Sequence, residues 1–195
     1  MDRHERKYYN TDRKIHNAFI RLLSRKDFSD ISVTALCRIA GVNRSTFYAH
    51  YANTHELAEQ IQREIVELFF KEMRAKGYFE DETSAYSNSV RFFTDKTLLS
   101  EFLGFIMRYK LLYSVISKNH KFFTFKGGRQ LLKSELFIPA FSANGTYDSS
   151  ELDYLYEFIL TGFYAVIDKW VNGGCKEDVA VIAEILSDVF SKLRE

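Results

Sequence analysis

The sequence predicts an all-α fold in which three short N-terminal helices lead into a long helix and a larger helical region. Two features of the composition point this way: the chain of 195 residues has one proline and nine glycines, yet 46% of it is hydrophobic. Apolar residues also recur at the spacing of helices rather than of strands. Polar residues that cap helices precede most of these periodic segments.

The first predicted helix covers about Asp12 to Lys26, with Thr11 or Asp12 as its N-cap. Its apolar residues fall at i, i+3, i+4, i+7 and i+8, which places them on one helical face. They are Ile15, Ala18, Phe19, Leu22 and Leu23.

Two short helices separated by a turn follow the first one. Ser32 is the expected N-cap of the second helix, and Gly41 ends it because glycine tolerates left-handed dihedral angles. Asn43 is the expected N-cap of a third helix, over about Arg44 to Tyr51. A long fourth helix then starts at Asn53 or Thr54 and runs to about residue 74.

The C-terminal part also has a helical pattern. Less regular apolar segments cover Tyr86 to Tyr109 and then residues 111–116, and Gly127–Gly128 and Pro139 indicate turns. The last two helices are better defined, from a Ser149 or Ser150 cap to about residue 171 and over residues 179–193.

The last two helices carry apolar stripes too wide to be left in solvent. Two helices from each of two chains could bury these stripes as a four-helix bundle, or the helices could close the core of a single chain. The residues predicted for a homodimer interface are Ile159, Phe163, Val166, Ile182, Leu186, Val189, Phe190 and Leu193.

Charge and cysteine content exclude few classes of protein. The net charge is +1, with +3 in residues 1–60 and −2 in the rest. The N-terminal cations are either solvated or in contact with phosphates; they are Arg3, Arg6, Lys7, Arg13 and Lys14. Cys37 and Cys175 have no metal or redox spacing, which favours free thiols. We expect a soluble, cytoplasmic protein without a membrane segment.

The third predicted helix is unusual because its outer face carries small and polar residues. On a helical wheel, Phe47 and Tyr51 point inward and Ser45 and Ala49 point nearly opposite. A face of small residues lets the helix backbone approach another surface closely, as a helix in the major groove of DNA must. The pattern therefore indicates a DNA-reading helix.

Individual residues around this helix have side chains suited to DNA. Arg44 can reach a guanine edge or a phosphate, and Ser45, Thr46, Tyr48 and His50 can donate hydrogen bonds. In the second helix, Ser32 and Thr34 stand beside backbone N–H groups that favour a phosphate, although Ser32 is equally explained as a helix cap.

The stretch SVTALCRIAGVNRSTFYAHYANTHEL, residues 32–57, resembles the helix-turn-helix of the TetR (tetracycline-repressor) family of transcriptional regulators. The resemblance implies that Thr46, Tyr48 and His50 face DNA, with Arg44 and Ser45 at the start of the helix. Family members often have a lysine just past this helix, where this chain has Ala52 and Thr54. One phosphate contact is therefore in doubt. The basic N-terminus could replace it.

The stretch YEFILTGFYAVIDKWVNGGCKEDVAVIAEIL, residues 156–186, is similar to the closing helices of one branch of the same family. The resemblance implies a DNA-binding domain at residues 1–55 and an effector-binding and dimerisation domain at residues 56–195. Partners would then be a palindromic DNA operator, a small-molecule effector and a second copy of the chain. Pocket candidates, each also explained by core packing, are Phe92, Phe93, Phe102, Phe105, Met107, Tyr109, Tyr113 and Phe163.

An enzyme is the less supported alternative. The histidines are scattered, and we find no metal-ligand spacing, phosphate-binding glycine loop or activated nucleophile, so no metal or cofactor is expected. The sequence favours a ligand-responsive repressor. A co-activator or small-molecule-binding module that acts through a protein partner remains open.

Overall fold

The computed structural model describes residues 2–78, 92–118, 133–138, 141 and 148–192. These residues form helices and turns without a strand, which confirms the predicted all-α class. The helices are α1 (Arg3–Leu23), α2 (Val33–Ala40), α3 (Arg44–His50), α4 (Thr54–Ala75), α5 (Lys96–Arg108), α6 (Lys110–Lys118), α7 (Ser149–Asn172) and α8 (Val179–Lys192). A 3₁₀ turn covers Phe28–Asp30, and a π-helical turn covers Lys133–Phe137.

Some predictions lie outside the described residues. They concern the helix start at Tyr86, the break at Gly127–Gly128, Pro139 with the loop after it, and Leu193. No helix among the described residues has the length and apolar character needed to cross a membrane.

Helix α1 begins nine residues earlier than the predicted Asp12, so that boundary was wrong. The Asp2 side chain accepts hydrogen bonds from the backbone N–H groups of His4 and Glu5 at 2.6 and 2.8 Å. The Glu5 side chain in turn accepts from the Asp2 N–H at 2.7 Å. This capping box satisfies donors that a helix start leaves unpaired, and the D-x-x-E spacing could have predicted it.

The chain divides into two compact units. The described part of the first unit covers residues 2–64 and 111–118. In it α1 packs on α2, and α2 packs on α3. Its core is apolar and buried, and the largest contributions come from Ile15, Phe19, Leu36, Phe47 and Leu57.

The turn between α2 and α3 has the predicted capping residues and the predicted left-handed glycine. Ser32 accepts from the Ala35 N–H at 3.2 Å and caps α2. Gly41 has φ 66°, a left-handed conformation that suits glycine. Asn43 accepts from the Thr46 N–H at 2.7 Å and caps α3. These three residues fix the angle at which α3 leaves the core.

The described part of the second unit covers residues 65–78, 92–110, 133–138, 141 and 148–192. Helix α8 packs on α5. The N-cap of α7 is Asp148, not the predicted Ser149 or Ser150, and it forms a capping box with Glu151. At the other end, Trp170 donates from Nε1 to the Glu177 carbonyl at 2.9 Å, which ties α7 to the turn before α8.

Candidate functional site

Helix α3 is held by its inner face and leaves its outer face open. Phe47 is fully buried in the core of the first unit, and Tyr51, directly after the helix, is also buried. Arg44, Ser45, Tyr48 and Ala49 are exposed, and Thr46 is half-buried. The inward and outward residues therefore follow the predicted pattern.

The exposed polar residues of α3 are organised around Arg44. Its guanidinium donates to the Tyr48 hydroxyl at 3.3 Å and to the Thr34 hydroxyl at 3.5 Å. It also lies 5.8 Å from the centre of the Tyr48 ring, within the range of a cation–π contact. Arg44, Tyr48 and Thr34 thus form one polar surface that joins α2 to α3.

Ser32 and Ser45 have local hydrogen-bond partners. The Ser32 hydroxyl oxygen serves as the α2 cap, and the Ser45 hydroxyl donates to Asn43 Oδ1 at 2.7 Å. Both residues are exposed, so either hydroxyl can also meet an incoming phosphate. Their cap and turn roles are what the structure shows directly.

His50 does not fit the expectation that its side chain faces DNA. The side chain is 4% exposed, and Nδ1 lies 3.2 Å from Asp12 Oδ1. The imidazole also stacks on Tyr8, with ring centres 3.9 Å apart. Since α1 covers this ring, His50 anchors the end of α3 rather than forming part of its open surface.

The sequence analysis did not predict a polar cluster that lies next to His50. It consists of Asp12 and His16 on α1 and Glu64 on α4, with one ligand-type atom from each within 4.8 Å of the others. Asp12 and His16 are four residues apart, so they share a helical face. That i, i+4 spacing was the available signal, whereas the approach of Glu64 depends on tertiary packing.

The second unit contains a small aromatic cavity of about 30 Å³. Its walls come from α5, α7 and the segments before them, and they are aromatic or aliphatic. The lining residues are Phe92, Phe93, Phe102, Phe137, Tyr156, Ile159, Leu160, Phe163 and Tyr164. Such a space holds one or two water-sized groups, and its walls offer a bound molecule few hydrogen-bond partners.

The predicted pocket residues divide into two groups. Phe92, Phe93, Phe102 and Phe163 line the cavity. The other four candidates do not: Phe105 is buried in the neighbouring core, Met107 is 42% exposed, Tyr109 packs on Phe105, and Tyr113 belongs to the first unit. The apolar residues of this region do not follow a regular helical spacing, so the sequence did not show which of them face the cavity.

The predicted interface residues need a similar correction. Five of them are buried inside the second unit, where they expose little surface to a partner: Ile159, Phe163, Ile182, Leu186 and Phe190. Val166 is half-buried and Val189 is 51% exposed. The exposed apolar residues of α7 and α8 lie on the opposite faces, and we call them the outer apolar face: Tyr154, Phe158, Val181, Ile185 and Val189.

Comparisons with known proteins agree with this architecture. A family model described as the C-terminal region of transcriptional regulators matches residues 96–192. The chain is also 35% identical over 66 residues to the uncharacterized HTH-type transcriptional regulator YxbF of Bacillus subtilis (strain 168). That match covers 33% of this chain and only 17% of the length of YxbF.

Two solved structures share the fold at low sequence identity. The fatty acid degradation regulator FadR from Bacillus halodurans aligns with a TM-score of 0.61 and 14% identity, over 92% of this chain and 94% of that one. The regulator FadR from Bacillus subtilis, solved in complex with stearoyl-CoA, aligns with a TM-score of 0.61 and 13% identity, over 91% and 96%. At such identity, the likeness concerns the fold.

Proposed function

We propose that this chain, which belongs to the TetR family of transcriptional regulators, is a homodimeric repressor released from a palindromic DNA operator by an apolar small molecule. The observation that carries the proposal is the outer face of α3. It is polar and exposed, and the fully buried Phe47 anchors the helix in the core, which suits a helix that enters the major groove.

The polar surface of Arg44, Tyr48 and Thr34 supports direct contact with DNA. Arg44 is the one Lys or Arg within α3, so base-edge recognition of guanine falls to it. The Tyr48 and Thr34 hydroxyls lie beside it and suit phosphates at the groove edge. His50 acts indirectly, by fixing the end of α3.

The N-terminal turns of α1 offer further cations for the phosphate backbone. These cations are exposed: Arg3, Arg6, Lys7, Arg13 and Lys14. They would compensate for the neutral residues Ala52 and Thr54 just past α3. Because phosphate contacts release counterions, binding should weaken steeply as the salt concentration rises.

The outer apolar face is our candidate for the homodimer interface. Val181, Ile185 and Val189 stand at i, i+4 and i+8 on α8, and Tyr154 and Phe158 are four residues apart on α7. Phe158 is 69% exposed, and a ring of that size in water favours burial against a partner. A two-fold axis would pair this face with itself.

The aromatic cavity is our candidate for the effector site. None of its lining residues is charged, which favours an apolar or acyl-type group over an ionic one. At about 30 Å³ it is too small for most metabolites, so an effector must separate the aromatic walls. The ligand-bound state would therefore differ from the state described here.

Helix α4 has residues in both units. Its Phe69 packs on the cavity rings of Phe102 and Phe92, with centres 5.2 and 6.1 Å apart. Its first turns contribute Leu57 and Ile61 to the core beneath α3. Displacement of Phe102 by a ligand would push on α4 and change the spacing of the two recognition helices, which must match grooves about 34–36 Å apart.

Selection of binding sites from a random duplex DNA pool at moderate salt tests the proposal. We expect a palindrome whose half-sites lie about one helical turn apart. Arg44→Ala should lose the selected sequence, and apolar compounds can then be screened for release of labelled operator. Recovery of a single unpaired half-site would contradict the dimer.

A TetR-like co-activator or small-molecule-binding module that works through a protein partner is the second candidate. It is favoured by the low positive charge of the α3 region, where Ala52 and Thr54 are neutral. If the random pool yields no specific sequence at any salt concentration, the repressor is ruled out and this candidate takes its place.

A further inference from the structure

We propose that Asp12, His16 and Glu64 bind one divalent transition-metal ion, such as Zn²⁺, between α1 and α4. The three residues lie in the first unit, apart from the aromatic cavity and from the open face of α3. The proposal does not depend on the identity of the effector or the operator.

The distances in the cluster are close to those of a metal site. Asp12 Oδ2 lies 3.4 Å from His16 Nε2, and Glu64 Oε2 lies 3.5 Å from His16 Nδ1. Two ligands of a tetrahedral Zn²⁺ ion with bonds of about 2.0–2.1 Å are roughly 3.3–3.4 Å apart. The Asp12–His16 pair has this spacing at Nε2, which also lies 2.8 Å from the Tyr51 hydroxyl, a hydrogen bond that the ion would replace. Glu64 faces the other ring nitrogen, Nδ1, so Glu64 is the ligand that must move to reach the same ion.

Glu64 is able to make that movement. One atom of each ligand already lies within 4.8 Å of the others, so the closure required is at most roughly 1.5 Å. The Glu64 side chain is 44% exposed, whereas those of Asp12 and His16 are 17% and 13% exposed. Two mostly buried ligands and one partly exposed ligand leave an approach from solvent on the Glu64 side.

Outer hydrogen bonds orient both carboxylates towards His16. Asp12 Oδ1 accepts from the Tyr51 hydroxyl and lies 3.2 Å from His50 Nδ1, which leaves Oδ2 facing His16. Glu64 Oε1 accepts from Gln60 Nε2 at 2.9 Å, which leaves Oε2 facing His16. Partners of this kind, which hold the ligands in position, are typical of built metal sites.

The charge of the cluster also favours a cation. The ion-pair partners of Asp12 are His16 and His50, and the partner of Glu64 is His16. Two carboxylates thus meet in a partly buried place, and a divalent ion would neutralise their negative charge. One imidazole with two carboxylates suits Zn²⁺ or another first-row ion better than Mg²⁺ or Ca²⁺, which prefer oxygen ligands alone.

Calorimetric titration of the chelator-treated protein with Zn²⁺ is the primary test, with Co²⁺ absorption as a spectroscopic readout of coordination. A Cys175→Ser background removes the more accessible thiol, while burial raises the pKa of Cys37 and keeps it protonated. We expect one ion per chain. His16→Gln and Glu64→Gln should each weaken binding at least tenfold, and Tyr51→Phe about tenfold.

Glu59→Gln is the matched control, because Glu59 is an exposed carboxylate on the same helix as Glu64. It should bind Zn²⁺ as the parent protein does. Circular dichroism confirms that each variant keeps its helical content, and Glu64→Gln, the most exposed ligand, is the variant least expected to unfold. A parent protein without saturable binding at micromolar Zn²⁺, or a Glu64→Gln variant with unchanged affinity, would overturn the proposal.

Discussion

Tyr51, the residue that follows α3, donates its hydroxyl proton to Asp12 of α1. The same Asp12 oxygen lies 3.2 Å from Nδ1 of His50, the last residue of α3. One carboxylate therefore fixes the C-terminal end of α3 against the first helix. Burial of Tyr51, together with this hydrogen bond, raises its pKa above the ordinary value of a tyrosine.

The raised pKa of Tyr51 predicts how stability depends on pH. In the unfolded chain the tyrosine ionises near pH 10, whereas the folded protein keeps the proton, so the stabilisation is complete below about pH 10 and declines above it. The decline from this one group is about 1.4 kcal/mol per pH unit. Tyr51→Phe lacks this contribution.

Urea unfolding of the parent and of Tyr51→Phe at about pH 9, 10 and 11 measures the effect. The other tyrosines are common to both proteins and cancel in the difference. The stability difference between the two proteins should shift in favour of the variant as the pH rises. Parallel pH curves would show that the Tyr51 hydroxyl ionises normally in the folded state.

Tyr48→Ala should weaken DNA binding by about 1.5–3 kcal/mol on every sequence, because the hydroxyl next to Arg44 is lost as a phosphate donor. Fluorescence anisotropy with selected and scrambled duplexes measures both affinities. Tyr48→Phe separates the hydroxyl from the ring that lies under Arg44. Unchanged affinity of Tyr48→Ala, with the dimer intact, would remove α3 from the DNA interface.

Val189→Asp should dissociate the dimer and thereby abolish tight operator binding, because the substitution places a charge within the outer apolar face. Sedimentation equilibrium measures the assembly state. Met107→Asp is the matched control, since Met107 is an exposed apolar residue of α5 outside that face. A Val189→Asp variant that stays dimeric would move the interface elsewhere.

Leu160→Ala should enlarge the aromatic cavity and lower the free energy of unfolding by about 2–5 kcal/mol. The larger space should bind benzene, and the Tm of the variant should rise with benzene concentration more than that of the parent. Met107→Ala, at an exposed position, should change stability by less than about 0.5 kcal/mol. No benzene effect on Leu160→Ala would indicate that the cavity collapses.

Local signals in the sequence were sufficient for the fold class and for the turn before α3. Ser32, Gly41 and Asn43 act through residues two to five positions away, so their roles follow from spacing alone. The early start of α1 was missed although its signal, Asp2 and Glu5, is also local.

Features that depend on packing between helices could not be predicted in this way. Helix α8 has apolar residues on two faces, and the sequence does not tell which one packs on α5. His50 was expected to face DNA because its helical position allows it, but α1 covers it through Tyr8 and Asp12. The cluster with Glu64 depends on the same kind of distant contact.

The early start of α1 also determines how its cations are presented. At 100° per residue, Arg3, Lys7 and Lys14 fall within about 40° of one another, and Arg6 and Arg13 form a second row within about 20°. A disordered tail with these residues would lose roughly 1–2 kcal/mol of backbone entropy per residue on docking. Since the helix has already lost that freedom, each phosphate contact that we propose for it would retain more of its electrostatic free energy.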